Sequence, residues 1–116
     1  MNTKEKELFN YIIEQTDNGN FQWTKNVTIE NNGFVHYQYR IPDMTVHSNA
    51  IRSIFAEKVP NTYACVIRVT SWNFYKNTPK IITLIPENLA EFAVLERAII
   101  DSINEEEVKI IKDMME

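Results

Sequence analysis

The side chains best suited to chemistry are few and far apart. The chain holds two histidines, His36 and His47, and a single cysteine, Cys65. A metal site needs three or four such donors at close, patterned spacing. Here the histidines share no helix face and the cysteine belongs to a different segment, so neither a metal nor another cofactor is expected. By strand alternation Cys65 shares a face with Tyr63 and Ile67. There a thiol packs as a small apolar group and its pKa rises, which predicts a structural cysteine rather than a nucleophile. Carboxylates are numerous, yet Glu105, Glu106 and Glu107 have a structural cause in starting a helix, and Glu5, Glu7, Glu14 and Asp17 sit on a solvated helix or at its end. No acid and base pair with divergent environments is identifiable. The glycines are only Gly19 and Gly33. Phosphate-cradling loops and nucleophile elbows use several, and turns account for both of these.

Residue types that favour recognition gather in one segment, Arg68-Val69-Thr70-Ser71-Trp72-Asn73-Phe74-Tyr75. Alternation puts Arg68, Thr70, Trp72 and Phe74 on the face opposite the main core. Arg40 occupies the polar face of an earlier hairpin. Aromatic residues and arginine bury large areas while keeping a polar handle, and they dominate binding hot spots. Arg68, Trp72, Phe74, Tyr75 and Arg40 are therefore the expected partner-binding residues. The competing reading covers Trp72 and Phe74 with a helix around Ile51 to Phe55, as a second, minor core. A further apolar stripe, Val108, Ile111, Met114 and Met115, marks the C-terminal end as either core or contact surface.

Composition limits the partners. Twelve basic against sixteen acidic residues give a net charge of −4 and a pI near 5.2, the opposite of the clustered positive charge that binds a phosphate backbone. Nucleic acid is not expected. No apolar run approaches the roughly 20 residues that span a bilayer, so no membrane segment is expected either. A single cysteine and the lack of a basic-then-apolar leader in Met1 to Tyr11 predict a cytoplasmic protein.

The elements that must position these residues follow from periodicity. Leu8, Phe9, Ile12 and Ile13 make one face of a helix over Thr3–Thr16, closed at Asp17-Asn18-Gly19-Asn20 by a left-handed residue. From Phe21 to Pro42 the period is two. A two-residue turn at Asn32-Gly33 would mix apolar with polar residues across one face. A three-residue loop, Asn31-Asn32-Gly33, instead pairs Ile29 with Val35, Val27 with Tyr37, Lys25 with Tyr39 and Trp23 with Ile41, and sorts the faces. Ile51, Ile54, Phe55 and Val59 follow helical spacing behind a capping Ser48, predicting a short helix from Asn49 to Lys58 that Pro60 stops. Thr62–Thr70 reads as a central strand. A turn at Lys76-Asn77-Thr78-Pro79 leads to a strand over Lys80–Ile85. Asn88 caps a helix over Leu89–Ser102, and Asn104 caps a last one ending near Met115.

These elements predict one domain over residues 1–116: an α+β two-layer sandwich, with an antiparallel sheet of four to five strands packed against N- and C-terminal helices. The opening helix with Asp17-Asn18-Gly19-Asn20-Phe21-Gln22-Trp23 is similar in style to many small bacterial and phage proteins, and the abundance of Asn, Ile and Lys fits an AT-rich genome. The expected function is a non-enzymatic protein-binding module of regulatory, inhibitory or immunity type, from a bacterium, phage or mobile element. Its partner is another protein or a second copy of itself. The order helix, two strands, helix, two strands, helix resembles secretion chaperones, a class that is also small and acidic. That resemblance implies a homodimer holding an extended segment of its client. An enzyme with a pocket that the sequence does not reveal is the third reading.

Overall fold

A computed structural model describes residues 1–44, 50–58, 65–73 and 78–115, with Trp72 and Asn73 described by backbone only. The order is α1 (Thr3–Asp17), β1 (Thr24–Ile29), β2 (Val35–Ile41), β3 (Ile51–Lys58), β4 (Cys65–Asn73), β5 (Thr78–Leu84) and α2 (Leu89–Met115). The five strands form one antiparallel meander, each paired with its neighbour in sequence. The helices pack on one face, and the fold is the α+β two-layer sandwich that the periodicity predicts.

Local chemistry sets α1. Asn2 accepts the amide hydrogen of Glu5 at 2.8 Å while the Glu5 carboxylate accepts the Asn2 amide at 2.9 Å, a reciprocal cap of the first turn. At the other end Gly19 takes φ +74°, a left-handed conformation open to glycine without strain. The β1–β2 hairpin has the predicted register, from Thr24 opposite Arg40 to Ile29 opposite Val35. Gly33, at φ +86°, closes the three-residue loop, with Glu30 and Phe34 bonded across it.

Three expectations are corrected. The segment predicted as a helix from Asn49 to Lys58 is strand β3 from Ile51, with Asn49 itself outside the described residues. A β-bulge explains the false period: Ile51 faces Ser71 and Ser53 faces Thr70, so one extra residue, Arg52, lies between them. The bulge sets Ile51 and Ile54, three apart, on the same face, imitating one turn of helix. Second, Leu89–Ser102 and the helix after Asn104 are a single 27-residue helix, α2. Asparagine costs a helix interior only a fraction of a kcal/mol, and without Gly or Pro nothing there breaks the chain. Asn88 does cap α2, accepting the Glu91 amide at 2.9 Å. Third, Thr78 and Pro79, assigned to a turn, open β5 opposite Asn73 and Trp72. The predicted cap at Ser48, the stop at Pro60, Thr62 to Ala64 of the predicted strand, and Lys76-Asn77 lie outside the described residues.

The core lies between the helices and the odd-numbered face of β1, β2 and β4 with the even-numbered face of β3. Phe9, Ile12, Phe92, Leu95 and Ile99 from the helices meet Trp23, Tyr39, Ile41, Ile54, Ala56, Ile67, Val69 and Leu84. Two polar contacts lock the layers. Trp23 Nε1 donates to Thr16 Oγ1 at 2.9 Å, and Thr16 in turn donates to the Ile12 carbonyl at 2.7 Å. Tyr39 donates its phenolic hydrogen to Glu96 at 2.7 Å, with Lys58 Nζ on the other carboxylate oxygen at 2.7 Å. The helices leave the hairpin end of this face open. Trp23, Tyr39 and Ile41 are buried, whereas Val27, Val35 and Ile29 at the hairpin end are 44%, 39% and 73% exposed.

Candidate partner-binding face

No described helix lies on the second face of the sheet. Cross-strand pairing lines up one residue from each strand there: Thr24, Arg40, Phe55, Arg68 and Thr83. Phe55 is thus flanked by two arginines, one on either neighbouring strand. The Arg68 guanidinium stands 5.9 Å from the Phe55 ring centroid, within cation–π range. The next row is Asn26, Gln38, Glu57 and Val66.

Glu57 is the hub of this face. Its Oε1 accepts from Arg68 Nη1 at 3.1 Å. Its Oε2 lies 3.0 Å from His36 Nε2 and accepts from Gln38 Nε2 at 3.4 Å. On the far side of the imidazole, Glu30 Oε1 is 3.6 Å from Nδ1. The side chains of Glu57 and His36 keep only 12% and 17% of their exposure, so His36 is not the freely solvated imidazole that the polar face of its strand suggests. The carboxylate orients both Arg68 and His36. Charge-assisted contacts of this kind fix geometry more than they add stability at a half-wet surface.

Of the five predicted partner-binding residues, Arg40 and Arg68 come together around Phe55. Trp72 has its backbone in β4 opposite Pro79. Its side chain, Phe74 and Tyr75 lie outside the described residues. The helix around Ile51 to Phe55 that was to cover a minor core does not exist, because that segment is β3. Glu57, Phe55 and Gln38 were missed as site residues. The signal for Phe55 and Glu57 was alternation within Phe55-Ala56-Glu57-Lys58, hidden by the helical spacing upstream, whereas Gln38 shares the polar face of β2 with Arg40.

Cys65, as expected, is buried, and burial pushes its thiol pKa up, with Lys58 pulling the other way and Glu91 and Glu96 adding to the rise. Tyr39 is held well above the ordinary tyrosine range, first by burial and then by its bond to the Glu96 carboxylate. Among the described residues no group of His, Cys, Asp and Glu is arranged to hold a metal, and no helix is long and apolar enough to cross a membrane. His47 lies outside the described residues. No protein-family model, curated protein or solved structure matches this chain.

Proposed function

We propose that the protein is a cytoplasmic, non-enzymatic protein-binding module that docks its partner on the sheet face opposite α1 and α2. The observation that carries this reading is the Arg40–Phe55–Arg68 row, an aromatic ring between two cations on rigid central strands and beside a carboxylate that orients one of them. A site on strands keeps its geometry better than one on loops. The chemistry fits a partner that offers an apolar side chain to Phe55, with carboxylates on either side to meet Arg40 and Arg68. The small size, the absence of a recognisable nucleophile or phosphate loop in the sequence, and the recognition-type residues Trp72, Phe74 and Tyr75 that follow Arg68 support the same reading. A regulatory, inhibitory or immunity-type role in a bacterium, phage or mobile element is the biological form it takes.

The test has two steps. A protein captured from the native host is purified, and its affinity is measured for the wild type and for Arg40→Ala with Phe55→Ala. Loss of tenfold or more in affinity at unchanged thermal stability supports the face. Equal affinities, or binding abolished instead by substitutions on α1, reject it.

A further inference from the structure

We infer that a second copy of this chain pairs along the free edge of β1, joining the two sheets into one of ten strands, with the end of each α2 lying over the other copy. Three separate features of one edge point to that occupant. The first is the edge itself. Among the described residues, β1 pairs only with β2 and β5 only with β4. The β5 edge carries Pro79, which removes a donor and discourages strand addition. The β1 edge, Thr24–Ile29, has no proline, no bulge, and every residue exposed.

The second is the path of α2. Glu91 lies near Cys65 of β4, Glu96 bonds to Lys58 of β3 and Tyr39 of β2, and Ile103, Asn104 and Glu107 share a groove of about 490 Å³ with Trp23, Thr24, Lys25 and Val27. The helix therefore crosses the sheet toward β1 and runs out past it. Val108 to Met115 then continue for eight residues, a length of ~12 Å at ~1.5 Å per residue. Glu91 to Glu107 uses ~24 Å of helix to cross the three spacings of ~4.8 Å from β4 to β1, so at the same slant the overhang reaches between one and two strands of a sheet placed beyond β1. It is apolar on one side: Val108, Ile110, Ile111, Met114 and Met115 are 51% to 82% exposed. An isolated helix end of this length would fray in water.

The third is the apolar strip that such an end could cover. Val27, Ile29 and Val35 lie on the helix side of β1 and β2 toward the hairpin end, and stay exposed because α2 crosses β1 nearer its Trp23–Lys25 end. A two-fold axis normal to the sheet sets β1 antiparallel to its copy and keeps both helix layers on one side. Each overhang then reaches the other copy's β1 and β2, where the strip lies. Such an interface is self-complementary, as two-fold symmetry requires. The five helix and three strand side chains are 39% to 82% exposed, so pairing would bury apolar surface from both elements of each copy, as a stable interface requires.

Light scattering on the full chain should give twice the 13.6 kDa chain mass. Ile111→Glu with Met115→Glu, at exposed positions that leave the monomer fold intact, should return it to monomer, as should Ile29→Lys alone. Amide hydrogen exchange in β1 should be slowed about tenfold or more in the dimer relative to these variants. A wild-type monomer at every concentration overturns the inference. So does a dimer that survives both sets of substitutions, or one whose β1 amides exchange as fast as in the monomeric variants.

Discussion

Glu57 and His36 meet at 3.0 Å on adjacent strands of a sheet face that no described helix covers. The same carboxylate holds Arg68 at 3.1 Å, so a single side chain of β3 orients groups from β2 and β4. Because the cluster is only partly shielded, its removal should weaken recognition more than folding. Glu57→Ala is expected to cost about 1 kcal/mol of stability, read as a small shift in the urea midpoint. Its effect on partner affinity should be larger, because Arg68 loses its anchor.

The Thr16 hydroxyl makes the opposite kind of contact, fully buried and between layers. It accepts from Trp23 Nε1 and donates to the Ile12 carbonyl. Thr16→Val keeps the shape but leaves the indole N–H without an acceptor, which should cost about 1–3 kcal/mol. Thr16→Ser should recover most of that. Chemical denaturation of the three proteins checks the order.

Tyr39 makes stability fall at alkaline pH. Its phenol has an ordinary value near 10 and is held higher in the fold by burial and by Glu96. The native state thus keeps a proton that the unfolded chain releases. The linked stabilisation is complete below pH 10 and is lost as pH rises above it. Tyr39→Phe should flatten the fall between pH 10 and the alkaline end of the curve while lowering stability near neutrality by about 1–2 kcal/mol through the lost bond to Glu96. Thermal melts across that pH range measure both.

Cys65 should resist thiol reagents in the native protein. It is 5% exposed, and burial raises its pKa, so little thiolate forms at neutral pH. Labelling should be slow until denaturant is added. Rapid native labelling would show that the β4 end opens readily.

Much of this fold was legible because strand parity constrains many residues at once. A one-residue slip in the first hairpin would turn Val27, Tyr37 and Tyr39 outward, and the apolar pattern alone chose the observed register. The pattern misled where a bulge broke parity. Arg52 put Ile51 and Ile54 on one face, and the resulting helical spacing concealed β3. With β3 concealed, Phe55 and Glu57 could not be seen as neighbours of Arg40 and Arg68, so the two arginines were found without the residues that organise them. The acidic run Glu105 to Glu107 looked like a helix start because charge and Asn104 both suit one, yet no helix breaker separates it from what precedes. Coverage was equally illegible: whether a strand's apolar face is under a helix depends on where the helix layer ends. Val27, Ile29 and Val35, toward the hairpin end, are left outside it.

The reading stands or falls on the face that carries Phe55. Hydrogen exchange of the protein with and without its captured partner tests it directly. Protection is predicted to concentrate on β2, β3 and β4 and to vanish with Arg40→Ala and Phe55→Ala. Protection confined to α1, or an unchanged pattern in the double variant, would contradict it.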